Sequence, residues 1–235
     1  MAGGELGKVL IAGASGLVGR EALRLCLQDP GVSEVRALTR RPLTLDDLLG
    51  PCEELSAAQR GKFRPCVVDF DRLDRHADLF DVDTVFCALG TTIRQAGSKA
   101  AFRRVDFDWP LQVARLAHAH GAQRFLLVSA LGASSASRVF YNRIKGELED
   151  ALGDMDWPVL CVARPSLLQG ERDEFRPGER LGLWLCRVFG ALIPDSHRPV
   201  HVRQVAAALL AACRVAQPDG PARRVLANAE LRAML

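Results

Sequence analysis

Tyr141 is the only tyrosine of the chain. It stands in Tyr141-Asn142-Arg143-Ile144-Lys145. On a helix, residues four apart share a face, so the phenol and the ammonium would project side by side. A free phenol is a poor acid at neutral pH, and a neighbouring cation favours its phenolate. That pairing makes proton transfer to or from an alcohol oxygen practical. Twelve residues upstream, Ser129 ends the apolar run Phe125-Leu126-Leu127-Val128. A strand ending there would bring a hydroxyl towards the same place.

Such a site needs a scaffold, and the N-terminal region supplies one. Lys8-Val9-Leu10-Ile11-Ala12 is an apolar run of strand length, followed by Gly13-Ala14-Ser15-Gly16-Leu17-Val18-Gly19. An amphipathic stretch with Ala22, Leu23, Leu25, Cys26 and Leu27 comes next. This is strand, glycine turn, helix. Glycine permits the tight turn and a close approach of backbone to phosphate. The helix start offers unpaired N–H groups and a positive dipole end to a pyrophosphate. Glycines at 13, 16 and 19 depart by one position from the common dinucleotide fingerprint. The second strand ends in Leu38-Thr39-Arg40-Arg41-Pro42, with no acid where a ribose 2′-hydroxyl would be held. Arg40 and Arg41 suit a 2′-phosphate instead, which favours NADP(H) over NAD(H).

Together these motifs resemble the short-chain dehydrogenase/reductase superfamily, in its extended and atypical branches. A narrower resemblance to the Tat-interacting-protein group of oxidoreductases lies in three segments. These are Phe86-Cys87-Ala88-Leu89-Gly90-Thr91-Thr92, Arg104-Val105-Asp106-Phe107-Asp108 and Arg176-Pro177-Gly178-Glu179. The resemblance implies reversible hydride transfer between NADP(H) and a small carbonyl or alcohol. Tyr141 would be proton donor, Lys145 would assist it and bind the nicotinamide ribose, and Ser129 would hold the carbonyl oxygen. It implies cofactor contacts at Gly13, Ser15, Gly16, Leu17, Val18 and Gly19. It places Asp69 and Phe70 around the adenine, and Ala88, Leu89, Gly90 and Thr91 along the ribose and phosphates. Backbone at Pro165, Leu167 and Leu168 would meet the carboxamide. Asp106 stands near where many relatives carry a supporting asparagine. Some members of the superfamily serve as redox sensors or protein-binding regulators, so binding without turnover is the alternative.

Bulk properties agree with a globular enzyme. A chain of 235 residues with 49% hydrophobic and 25% charged residues is long enough for one packed domain. A net charge of +3 is too small to argue for nucleic acid. The doublets Arg103-Arg104 and Arg223-Arg224 are short and lack interleaved aromatics. No apolar run reaches the length of a membrane span, and no signal-peptide layout is read at the N-terminus. The seven cysteines form no Cys-x-x-Cys pair, which favours a reducing, cytoplasmic setting. Cys26, Cys66, Cys87, Cys161 and Cys213 are expected in the core. Of the histidines, His118 and His120 diverge on a helix, and Pro199 separates His197 from His201, so no metal site is expected.

Strand and helix alternate along the chain, with strands read over 8–12, 34–39, 64–69, 83–88, 124–129 and 158–163. Helices are read over 17–28, 72–79, 98–120, 139–153 and 202–215, the third kinked at Pro110 or restarted there with Asp108 as cap. The expected fold is α/β, a Rossmann-type doubly wound parallel sheet with a small C-terminal substrate-binding region. Residues 1–235 read as one domain, with 169–200 as the variable substrate segment. Its apolar stretch from Leu181 to Ile193 reads as a helix that packs on its own core, lines or covers a pocket, or forms a partner or membrane-surface face. The partner expected is a small carbonyl compound. A homodimer is compatible with these residues, as is a protein partner in the regulatory alternative.

Overall fold

The computed structural model describes residues 4–51, 53–170, 198–214 and 223–234. The expected helix from Leu181 to Ile193, and Arg176-Pro177-Gly178-Glu179, lie outside them.

Seven parallel strands form one sheet: β1 (Gly7–Ala12), β2 (Val32–Thr39), β3 (Phe63–Val67), β4 (Thr84–Cys87), β5 (Arg124–Val128), β6 (Val159–Arg164) and, last in the chain, β9 (Arg223–Ala227). The spatial order is β3-β2-β1-β4-β5-β6-β9. The order reverses between β1 and β4, and there a doubly wound sheet opens a crevice at its carboxyl edge. A separate two-stranded ribbon pairs β7 (Leu168–Gln169) with β8 (Val200–His201).

The central strands β1, β4, β5 and β6 are almost continuously apolar because both faces are covered. Val9, Ile11, Ala37, Phe86, Leu126 and Cys161 belong to one buried cluster. Their chain neighbours Leu10, Leu38, Val85, Phe125 and Leu160 belong to the other. Helix α1 (Leu17–Gln28) and helix α8 (Val202–Ala212) pack together on the first face. Helix α1 contributes Val18, Ala22, Leu23, Cys26 and Leu27, a stripe of helical period. Helices α6 (Trp109–Ala119) and α7 (Phe140–Gly153) cover the second face. Each large side chain wholly withdrawn from water contributes about 1.5–3 kcal/mol.

Short helices α2 (Leu45–Leu49) and α3 (Ala57–Arg60) each begin with a reciprocal cap, Thr44 with Asp47 and Ser56 with Gln59. A 3₁₀ segment spans Phe70–Phe80 where an α-helix over 72–79 is expected, and it kinks at Arg72 and His76. Helix α4 (Ile93–Ala96) precedes α5 (Lys99–Arg103). A π-turn over Arg104–Asp108 then joins α5 to α6. A fifth short helix, α9 (Asn228–Arg232), follows β9.

The π-turn corrects the expectation of Asp108 as the cap of a fresh helix at Pro110. Asp108 keeps helical backbone angles and makes no side-chain cap. Trp109 N–H instead donates to Arg104 O, five residues back. Proline has no N–H and its ring crowds the carbonyl four residues before it, here that of Asp106. Widening the turn relieves that crowding without breaking the rod.

Candidate functional site

At the carboxyl edge of β1, the chain turns through Gly13 with φ +94°. A Cβ there would lie 2.7 Å from the Ala88 carbonyl group, so the turn sits directly on the end of β4. Gly16 N–H donates to Gly13 O at 3.0 Å, and Arg20 N–H donates to Gly16 O at 2.9 Å. Helix geometry leaves the N–H groups before Arg20 without intrahelical acceptors. The third glycine has another task. A Cβ on Gly19 would meet Gly13 O at 2.0 Å, so Gly19 seats the helix on the turn. Val18 is 4% exposed and Leu17 packs against the core, so neither side chain lines the cleft. For Leu17, Val18 and Gly19, only backbone remains to meet a ligand.

The cleft measures about 930 Å³. Gly13, Ser15 and Gly16 form its floor, with Leu38, Thr39, Arg40 and Arg41 from β2 and its end. Ala88, Leu89, Gly90 and Thr91 come from the end of β4, and Phe70, Val105 and Trp109 close the far side. A second cavity of about 470 Å³ adjoins it, lined by Arg40, Val67, Val68, Asp69, Phe70, Asp71 and Trp109. Phe70 and Trp109 stack with ring centres 5.1 Å apart, and Trp109 donates its indole N–H to Asp71 Oδ1 at 2.9 Å. Asp69 borders only the second cavity, and its carboxylate caps the 3₁₀ segment through Asp71 N–H at 3.0 Å. Arg40 and Arg41 are exposed and neither forms a salt bridge among the described residues.

Two observations bear on whether a dinucleotide fits. The glycine turn leaves no room for side chains over the phosphate floor, and a helix starts above it. Thr39 Oγ1, 95% withdrawn from solvent at the end of β2, has no hydrogen-bond partner. A buried orphan hydroxyl costs about 1–3 kcal/mol unless something pairs with it. It lies on the cleft wall beside the exposed Arg40 and Arg41, where a sugar and its 2′-substituent would complete it.

Helix α7 carries the proton-transfer candidates. The loop before it is pinned: Ser134 N–H donates to Asn142 O at 3.1 Å, and a Cβ on Gly146 would strike Ser134 at 2.1 Å. Tyr141 is half-buried, with its ring 5.6 Å from that of Phe102. One turn on, Lys145 is 3% exposed. Its Nζ lies 2.8 Å from Asp106 Oδ1, a buried ion pair. Burial presses the Lys145 ammonium towards neutrality, but the attraction of Asp106, with Tyr141 and Cys87, outweighs it and holds the pKa above that of an ordinary lysine. Lys145 does not itself line the cleft; it lies beside Gly90, which does, and a Cβ there would be 3.5 Å from Nζ.

Ser129 follows β5, as expected, and is buried. Its hydroxyl donates to Glu149 Oε1 at 2.5 Å, inside the protein. Glu149 is fully buried and also accepts from both arms of Arg164, the shorter contact 2.6 Å, and from Arg223 at 2.9 Å. A single O–H committed to a buried carboxylate is not on offer to a carbonyl oxygen. Sequence reading missed Glu149, although its place eight residues after Tyr141 put it on the same helical face.

Pro165, Leu167 and Leu168 are likewise not part of the described cleft wall. Pro165 O accepts from Leu131 N–H, Leu167 O from Val200 N–H, and Leu168 pairs with Val200 in the ribbon. The arginine doublets are engaged too: Arg103 with Glu147, Arg104 with Asp71, Arg223 with Glu149. His118 stands edge-on to Trp157, His120 contacts Leu116 O, and His201 caps α8. Cys26, Cys66, Cys87, Cys161 and Cys213 are buried free thiols. No described helix is long and apolar enough to cross a membrane.

Comparison with known proteins matches this geometry. The family described as NAD(P)H-binding matches residues 13–157. The rat "Protein HTATIP2" is 39% identical over 189 residues, covering 80% of this chain and 72% of the relative. The mitochondrial "Protein FMP52" of Debaryomyces hansenii is 29% identical over 225 residues, covering 94% and 95%. A UDP-N-acetylglucosamine 4-epimerase from Methanobrevibacter ruminantium M1 superposes with a TM-score of 0.67 at 14% identity, over 94% of this chain and 76% of that one. The Bordetella bronchiseptica enzyme WbmG, solved with NAD and UDP, gives 0.65 at 16%, over 93% and 72%. At such identities these solved structures establish the fold alone. The glycine turn, the open cleft at the switch point and the sequence matches make the chain a member of the NAD(P)H-binding family and a relative of Protein HTATIP2.

Proposed function

We propose that the protein is an NADP(H)-dependent oxidoreductase acting on a small carbonyl compound or the corresponding alcohol. The observation that carries this reading is a lysine, buried and charged, one helical turn after the lone tyrosine and against the Gly90 wall of the cleft. When bound, the dinucleotide would supply or accept the hydride. The floor at Gly13, Ser15 and Gly16 would hold its pyrophosphate, with the first-turn N–H groups of Leu17 and Val18. Thr39, Arg40 and Arg41 would take the 2′-phosphate, since a guanidinium fork matches phosphate and no acid stands there to repel it. Phe70 and Trp109 offer apolar faces to the adenine. Tyr141 would give its phenol proton to the developing alkoxide, and Lys145 would stabilise the phenolate that remains. The ammonium has three donors and Asp106 engages one of them, which leaves two for ribose hydroxyls. Ser129 is left out of the chemistry by its bond to Glu149. The buried free thiols support a reducing compartment, and we read it as cytoplasmic, although the FMP52 relative is named as mitochondrial.

The commitment of Ser129 also favours a second reading, an NADP(H)-binding regulator without turnover, acting through a protein partner. Consumption of NADPH against a panel of aldehydes, ketones and quinones separates the two. Oxidation dependent on one carbonyl class supports the enzyme. Tight NADPH binding with no oxidation across the panel supports the regulator.

A further inference from the structure

Asp106 is an acid placed where the fold encloses it completely. It sits in the π-turn that Pro110 forces open. Its Oδ2 accepts the Thr91 N–H at 2.8 Å, which ties it to the cleft wall just after Gly90. Its Oδ1 faces Lys145 Nζ at 2.8 Å. An enclosed ammonium costs several kcal/mol in lost hydration, and removing its partner leaves that cost uncompensated.

We propose that Asp106 is a positioning residue, the counter-ion that keeps Lys145 charged and aimed at the cleft. The proposal deepens the reading of Lys145 as the ribose and tyrosine partner, and for its effect on the cofactor it rests on that reading. The groups facing Lys145 are few: Asp106 from the π-turn, Tyr141 from its own helix and Cys87 from the end of β4. Burial pushes the Cys87 thiol up to about 11, so it stays neutral and supplies no counter-charge near pH 7. Asparagine at 106 would still accept from Thr91 N–H but would leave a phenol and a thiol as the ammonium's only neighbours. Lys145 would then lose its proton at lower pH, and its hold on ribose hydroxyls would weaken.

The chain has only four lysines, Lys8, Lys62, Lys99 and Lys145, so the test is direct. Lysine labelled with ¹³C at Cε gives four NMR signals, and Lys145→Met assigns the one of interest. In the wild-type protein, that signal should hold its ammonium shift past the ordinary lysine pKa of about 10.4. In Asp106→Asn it should titrate at least about one pH unit lower, a tenfold loss of proton affinity. An unchanged titration in a folded Asp106→Asn protein overturns the proposal. So does a wild-type Lys145 that titrates below the ordinary value, a result that needs no variant to fold. NADPH titrated fluorimetrically over the same pH range is the second arm. Its alkaline loss of affinity should move down in Asp106→Asn alongside the NMR titration. NMR movement without that change supports the ion-pair assignment and refutes Lys145 as the ribose ligand.

Discussion

Ser129 and Glu149 are joined by a 2.5 Å hydrogen bond that takes the serine hydroxyl away from the cleft. Helix α7 thereby presents two buried charged side chains on the Tyr141 face. Lys145 is turned to the π-turn and Glu149 to the ends of β5 and β6. The proposed chemistry uses the first, and the second ties the helix to the sheet.

It follows that Ser129→Ala should lower turnover by less than about tenfold, under 1.4 kcal/mol of barrier. Its stability should fall by about 1 kcal/mol for the lost hydrogen bond. Glu149→Ala would strand Arg164 and Arg223 and should cost about 3–5 kcal/mol, read as a lower urea midpoint. A collapse of activity in a stable Ser129→Ala protein would restore serine to the chemistry.

Cofactor preference should reside at the end of β2. Calorimetric titration should show NADP(H) binding more tightly than NAD(H). Arg40→Ala should close that gap by ten- to about a hundredfold, the worth of one charge-assisted hydrogen bond at roughly 1.5–3 kcal/mol. Thr39→Val should weaken NADP(H) while raising thermal stability, because it removes an orphan hydroxyl. Equal affinities in the wild type would end the argument.

Gly13 and Gly16 should fail differently. Gly13→Ala imposes a side chain at φ +94° against the Ala88 backbone and should destabilise the protein itself. A Cβ on Gly16 meets only Gly13 O, at 3.3 Å, and otherwise faces the cleft. Gly16→Val should therefore keep its circular dichroism and lose at least about tenfold in NADPH affinity. Unchanged affinity there would make the turn structural only.

The buried ion pair also predicts a sign for alkaline stability. The folded pKa of Lys145 is raised above 10.5. The stabilisation is therefore fully present below the unfolded lysine pKa and is lost as pH rises through the folded value. Thermal midpoints of the wild type and Lys145→Met should lie far apart near pH 8 and converge above about pH 10.5. A constant gap across that range would mean that Lys145 is not charged when buried.

The parts legible in the sequence were those governed by local rules. Apolar runs and glycines placed β1, the Gly13 turn and α1, and helical spacing placed Tyr141 over Lys145. The parts that escaped depend on tertiary partners. Nothing near Ser129 announces that Glu149 will claim its hydroxyl, because that contact forms only when α7 lies across β5. Arg223-Arg224 reads as a polar doublet, yet it opens β9, held by β6 and by Glu149. Asp108 before Pro110 has the spelling of a helix cap, but α5 runs on through the π-turn instead. That substitution of π-turn for cap is what carries Asp106 inward.

The most direct test of the account is the rate of NADPH oxidation by Tyr141→Phe, on whichever carbonyl the wild-type protein reduces, with NADPH affinity measured in parallel. The variant keeps the ring against Phe102 and removes only the hydroxyl. Turnover should fall by ~10²–10⁴-fold while NADPH affinity stays within a few-fold of wild type. Full turnover in Tyr141→Phe would contradict the assignment of this tyrosine as the proton donor, and with it the chemistry proposed for the cleft.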